Sequence, residues 1–263
     1  MASLSVRRWR QLALWLHVTT SVGWMAQALA LCVLLTTSLT TPDRDVAVAA
    51  TSMAQVLDGR LLAPLANASA FTGFMLAAAT PWGFFRYRWV LVKLVITLVQ
   101  LHLGIFVLGS ALADSAAAAT TGARGPAVPL AVGSALMAGA IAFQAWVSVA
   151  KPWSTTRWMP ADRRQVAGTA PRWVFVATVV GVAADLAVAA LLGHPAPLIS
   201  LIILGTWLVL RRRQTRAARA GATAQPEPPP WGGGGRAPPA AGARGPPRPG
   251  GGRPPPRPGC CWI

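Results

Sequence analysis

Charged side chains are scarce in this sequence, and acidic ones are the scarcest. Only 12% of the 263 residues are charged, with seven Asp and Glu against 24 Lys and Arg. A soluble domain carries about 25% charged residues, so this composition is atypical of a protein surrounded by water. Hydrophobic residues make up 54% of the chain, and several runs approach the ~20 residues that cross a bilayer. The sequence therefore predicts an integral membrane protein whose main partner is the lipid bilayer.

Cysteines are also few, and the motifs of soluble enzymes are missing. Cys32, Cys260 and Cys261 show neither the spacing of zinc ligands nor a disulfide framework. The chain contains no Walker loop, Rossmann fingerprint, H-E-x-x-H or G-x-S-x-G motif. We therefore predict a protein without a catalytic site of the soluble type and lean towards a function other than an enzyme's.

Apolar runs define the predicted fold class, an all-α polytopic transmembrane bundle with a four-helix core and two further helices. Six spans are predicted: Leu12–Leu35, Leu61–Thr80, Trp89–Gly109, Ala127–Ala150, Trp173–Leu192 and Pro197–Leu210. The sixth is shorter than the others, which leaves a re-entrant segment as the alternative. Asp43–Leu57 is predicted to be an amphipathic helix that extends the second span outwards.

The net charge of +17 would suggest nucleic acid as the partner of a soluble protein. Here the basic residues lie beside apolar runs and in the C-terminal region, as is typical of cytoplasmic loops, so we expect no nucleic-acid binding. Six spans place Arg211, Arg212 and Arg213 inside, whereas five would place them outside. The positive-inside rule thus predicts a plasma-membrane protein with both termini in the cytoplasm.

The composition changes near the C-terminus, where GPPRPGGGRPPPRP contains little that could form a core. We divide the chain into a transmembrane domain, residues 1–210, and an Arg/Pro/Gly-rich cytoplasmic tail, residues 211–263. The tail is predicted to be disordered.

Two predicted spans carry a polar stripe along one side of the helix. The residues of the first stripe are His17, Thr20, Ser21, Trp24 and Gln27; those of the second are Trp89, Lys93, Thr97, Gln100 and Gly104. Lipid cannot satisfy polar groups, so each stripe should face other helices. The stripes predict a polar cavity between helices, lined by His17, Trp24, Lys93 and Gln100, whereas His102 lies on the opposite side of its helix from Lys93.

The helical rise of ~1.5 Å per residue sorts the polar residues by depth. An inner layer is predicted to contain His17, Lys93 and Gln144. An outer layer is predicted to contain Asn67, His102 and Asp185.

Each of these residues has an alternative role. Lys93 could extend to the headgroups, and Gln144 and Asn67 could form hydrogen bonds between helices. The carboxylate of Asp185 needs a partner or a proton, for which His102 is the candidate at matching depth. The imidazole of His17 could be structural or could bind a ligand.

Three motifs resemble those of an uncharacterised family of multi-pass membrane proteins from high-GC Gram-positive bacteria. The motifs are LHVTTSVGW, TPWGFFRYRWVLVKL and SVAKPWSTTRW, and they occur in order between Leu12 and Arg164. The resemblance weakens beyond Pro171, and the family has no established activity.

More remotely, His-x6-Trp in the first span and Trp-x3-Lys-Leu in the third are similar to two groups. One is the copper-resistance-D-like membrane domain, and the other is the haem-associated membrane protoporphyrinogen oxidase family. In the oxidase family the histidine of the first span and the lysine of the third span are regarded as important residues. The resemblance implies corresponding roles here for His17 and Lys93. Leu91 stands where that family has a histidine, so the resemblance implies haem b binding rather than the oxidase activity.

The sequence thus favours an integral membrane protein without catalysis and with a polar site around His17 and Lys93. The first alternative is a haem-binding redox protein or oxidoreductase with His17 as the axial ligand. The second is a transporter of a small ion or of a metal such as copper, with Asp185 and His102 as a relay.

Overall fold

The computed structural model describes residues 2–123, 125–153, 156 and 169–223, and these form an all-α fold. Helices account for nearly all of them. The six helices are α1 (Ala2–Thr40), α2 (Arg44–Ala79), α3 (Arg88–Thr120), α4 (Ala127–Ala150), α5 (Arg172–Leu192) and α6 (Leu198–Thr223). The all-α part of the predicted fold class is confirmed.

Local sequence explains where the helices begin and end. The Asp43 carboxylate caps α2 by accepting hydrogen bonds from the amides of Asp45 and Val46. The same helix ends just before Pro81, which cannot continue it. Gly193 terminates α5 with φ +77°, a left-handed conformation that glycine adopts without strain.

Five helices, α1 to α5, are long and apolar enough to cross a membrane. The helix α6 is not among them, because its apolar part ends at Leu210 and arginines follow directly. The helices are also longer than the predicted spans. In particular, α2 runs from Arg44 to Ala79 without a break. This confirms that the amphipathic helix predicted over Asp43–Leu57 extends the second span.

Each of α2 and α3 contains one π-helical turn, at Asp58–Leu62 and Gly104–Leu108 respectively. Such a turn inserts an extra residue into the helix and is frequent at functional sites. Nothing in the composition of either helix predicted these two turns.

Because consecutive helices run antiparallel, the bundle has two distinct ends. We call the end at which α1 begins and α2 ends the basic end. Its described charges include Arg7, Arg8, Arg10, Arg86, Arg88, Lys151, Arg172 and Arg211. The opposite end has mixed charges, namely Asp43, Arg44, Asp45, Asp58, Arg60 and Asp114.

The helix α1 is the centre of the bundle and packs against α2, α4 and α5. One apolar cluster joins α1 to α2, α3 and α4 around Trp24 and Met137. A second cluster joins α1, α2, α5 and α6 around Phe175 and Trp207. Since α5 closes this second cluster, the core contains more than the four helices expected from the sequence.

Large apolar side chains also cover the outside of the bundle. Leu191 is 86% exposed, Val149 77% and Leu136 68%. In water such a surface would be an aggregation hazard, whereas in a bilayer it faces hydrocarbon.

The predicted tail differs from the structure at its beginning. Residues 211–223, assigned to a disordered tail from composition, continue the helix α6 to Thr223. The rest of that prediction, residues 224–263, lies outside the described residues.

Candidate functional site

The imidazole of His17 lies between α1 and α2. Its Nδ1 atom is 3.0 Å from the carbonyl oxygen of Ser69 and 3.1 Å from the hydroxyl oxygen of Thr72. A carbonyl oxygen can only accept, so Nδ1 carries a proton and donates to it. In the neutral imidazole this leaves Nε2 with a lone pair, as the nitrogen that can bind a ligand or take up a proton.

Gly73 allows the imidazole to lie against α2. A Cβ atom at position 73 would be 2.9 Å from Cε1 of His17, closer than real Cβ contacts. The ring therefore packs on the helix surface at a position where no side chain stands in the way. The sequence pattern gave no indication that Gly73 was part of the site.

Hydroxyl groups complete the contact between α1 and α2. Ser21 donates to the carbonyl oxygen of His17 at 2.7 Å, and its oxygen lies 2.6 Å from that of Ser69. Because the Ser21 proton is used, the Ser69 hydroxyl is the donor in this pair. The predicted stripe on the first span thus faces α2 at His17 and Ser21.

The second predicted stripe faces α4. The Lys93 ammonium donates to the hydroxyl of Ser148 at 2.6 Å. Further along, Thr97 donates to Gln144 at 2.9 Å, Gln144 donates to Gln100 at 2.7 Å, and Gln100 donates to the carbonyl of Met137 at 3.0 Å. These bonds form a continuous polar contact between α3 and α4. Gln144 thus forms hydrogen bonds between helices, which is the alternative role predicted for it.

The hydrogen bonds of His17 and Lys93 therefore lead to different helices. Within the described part of the chain, no hydrogen bond connects one residue to the other. Lys93 could act as a second ligand beside His17 only after its ammonium group loses a proton, because an ammonium group has no lone pair.

Two neighbouring side chains on α1 have polar atoms without a hydrogen-bond partner among the described residues. They are the indole nitrogen of Trp24, a residue that is only 3% exposed, and the buried side-chain oxygen of Gln27. Both lie on the predicted stripe, beyond His17 and Ser21.

Two residues of the predicted outer layer, Asn67 and Asp185, line a separate crevice together with Ser200. The Asp185 carboxylate accepts hydrogen bonds from the backbone amides of Ile199 at 3.2 Å and Ser200 at 2.9 Å. It thereby caps the first turn of α6, where the helix dipole favours negative charge. Asn67 and Asp185 are brought together, as their depths predicted.

His102 does not join this crevice. It is exposed and lies against Phe106, with 5.0 Å between the ring centroids. The partners of the Asp185 carboxylate are backbone amides of α6, so the expected pairing of Asp185 with His102 is absent from the described residues. The relay proposed for a transporter has no geometric support here.

A metal centre built from several side chains is not found either. Among the described residues, no group of three or more His, Cys, Asp or Glu side chains could hold a metal ion. His17 is thus a single nitrogen donor surrounded by hydroxyl and carbonyl groups.

No family model, curated protein or solved structure matches this chain. The resemblance to multi-pass bacterial membrane proteins therefore stays a prediction. The geometry around His17 is the basis on which a function can be inferred.

Proposed function

We propose that this protein is a non-enzymatic integral membrane protein that binds a ligand through Nε2 of His17. One observation carries the proposal, namely the hydrogen bond from Nδ1 of His17 to the carbonyl of Ser69. Histidines that bind metals or haem iron commonly donate their other ring nitrogen to a carbonyl, which fixes the tautomer and orients the ring. A histidine within a membrane span is costly unless it has such a task.

The proposed location is the bacterial plasma membrane, with the basic end in the cytoplasm. The charge difference between the two ends follows the positive-inside rule. Arg211 donates to the carbonyl of Ala78 near the end of α2. This contact supports a sixth passage of the chain, since it returns the last part of α6 to the basic end.

Haem b is the second candidate, because the same nitrogen suits axial ligation. His17 would hold the iron, and Ser69 and Thr72 would orient the ring. The bound group would supply one-electron redox chemistry. Lys93 contacts α4 through its bond to Ser148, so His17 is the residue that we expect to hold the iron.

An absorption spectrum of the detergent-purified protein from haem-replete cells tests both candidates. A stoichiometric Soret band that shifts on reduction with dithionite, and that is lost in His17→Ala, would establish haem. His102→Ala is the matched control because His102 is exposed, and it should leave the spectrum unchanged.

A flat spectrum would remove haem and leave the binding of another ligand to be tested. Zinc or nickel added as a probe should then perturb the protein in a His17-dependent manner. If no probe distinguishes His17→Ala from His102→Ala, the proposed function is wrong.

A further inference from the structure

The two π turns enclose a cavity at the opposite end of the bundle from the basic end. Asp58 and Leu62, the first and last residues of one turn, line it together with Gly104 and Leu108, the first and last residues of the other. We call it the π-turn cavity. Its volume of about 20 Å³ is enough for one water-sized particle, and a π turn in each of two helices contributes to its wall.

Two polar residues line the cavity among apolar ones. One is Asp58, which is half-buried, and the other is Ser134, a residue on α4 that is only 3% exposed. Neither side chain has a hydrogen-bond or ion-pair partner among the described residues. Leu31, Leu112 and Met137 form part of the remaining wall.

A carboxylate in such surroundings needs either a proton or a compensating cation. Burying an ionised group without a partner is strongly unfavourable, and polar groups that a membrane protein leaves unsatisfied usually mark a functional site. The nearest basic residue in the sequence, Arg60, is exposed and packs on Gly193, with its guanidinium 3.2 Å from where a Cβ at that glycine would stand. Among the described residues, no basic side chain forms an ion pair with Asp58.

We propose that the π-turn cavity binds one small monovalent cation between the carboxylate of Asp58 and the hydroxyl of Ser134. Hard cations take oxygen ligands, and both polar groups present an oxygen. A single carboxylate matches one positive charge, whereas divalent ions usually take several acidic ligands. The site lies at the other end of the bundle from His17 and does not depend on the proposed function.

Thermal unfolding of the full chain in detergent tests this site, with sodium as the probe. Sodium chloride replaces choline chloride at constant ionic strength, and the fluorescence of the 12 tryptophans reports Tm. We expect a saturable rise in Tm for the unmodified chain. The rise should persist in Asp114→Asn, whose carboxylate is exposed, and disappear in Asp58→Asn.

A second pair of variants keeps the test decisive if Asp58→Asn does not fold. Removing one oxygen ligand should weaken binding by roughly tenfold, the equivalent of one hydrogen bond. Equilibrium binding of radioactive sodium should therefore show one ion per chain and about tenfold weaker affinity in Ser134→Ala. Ser110→Ala, at an exposed position on the same end, should bind like the unmodified chain.

Three results would overturn the proposal. The first is a Tm that does not respond to sodium in the unmodified chain, and the second is an equal response in Asp58→Asn. The third is a Tm that responds to pH alone, which would identify a protonated carboxyl group in place of a bound cation.

Discussion

At the scale of single residues, the position of His17 depends on the absence of a side chain at Gly73 of α2. The imidazole lies against Gly73, and its Nδ1 atom bonds to Ser69 one turn earlier. Together these two features fix the ring and leave Nε2 as the reactive nitrogen. The sequence identified His17 as an unusual residue in a span, but the partners on α2 could not be predicted because helix pairing is not encoded in spacing along one helix.

The first prediction concerns this close contact. Gly73→Ala should destabilise the protein by about 1–3 kcal/mol, because the added methyl group overlaps the imidazole and forces it away. Gly139→Ala is the control, since a Cβ there would meet nothing within 4 Å, and it should be neutral or slightly stabilising. Unfolding by SDS titration measures both, and equal effects would contradict the contact.

The polar contact between α3 and α4 leads to a second residue-scale prediction. Gln100→Leu and Gln144→Leu each remove one partner of a 2.7 Å hydrogen bond. In double-mutant cycles, a hydrogen bond between membrane helices contributes about 0.6–1.7 kcal/mol. The double variant should therefore cost less than the sum of the two single variants by about that amount. Strictly additive costs would show that the two amides do not interact.

At the scale of elements, α6 is the least predictable helix. Its apolar part is short, yet this part is attached to other helices at its beginning and just beyond its end. The first turn is capped by Asp185 of α5, and Arg211 bonds to Ala78 at the end of α2. Pro195 and Pro197 explain from sequence why α6 begins where it does. The cap by Asp185 could not be predicted, because it depends on how far the loop turns back along α5.

A third prediction tests the cap. Asp185→Ala should loosen the first turn of α6, since losing a charged cap costs about 1–2 kcal/mol. In a background without native cysteines, Ala196→Cys should then react faster with maleimide. Asp185→Asn keeps one acceptor oxygen and should give an intermediate rate, while Asp114→Ala should have no effect. An unchanged rate in Asp185→Ala would mean that the carboxylate does not hold α6.

The whole molecule combines features that composition predicts well with others that it does not. Scarce charge and long apolar runs predicted an all-α membrane protein, because those properties follow directly from what hydrocarbon excludes. The π turns at Asp58–Leu62 and Gly104–Leu108 could not be predicted in the same way. They depend on packing between neighbouring helices, and they place Asp58 in the wall of a cavity.

The fourth prediction concerns the membrane topology. In intact cells, an impermeant maleimide should label Thr41→Cys and Ala123→Cys, which follow α1 and α3. Phe85→Cys and Arg216→Cys, at the basic end and after it, should react only once the membrane is opened. Labelling of Arg216→Cys in intact cells would instead favour five crossings, with the last part of α6 outside.

The central claim is that His17 presents an unprotonated Nε2 while Nδ1 is held by Ser69. The chain has three histidines, so replacing His102 and His194 with glutamine leaves His17 alone for nitrogen-15 NMR in lipid bilayers. The account predicts a neutral ring with the proton on Nδ1, and an Nε2 resonance that moves when a ligand binds. A proton on Nε2, with Nδ1 bare, would contradict the hydrogen bond to Ser69 and the proposed function with it.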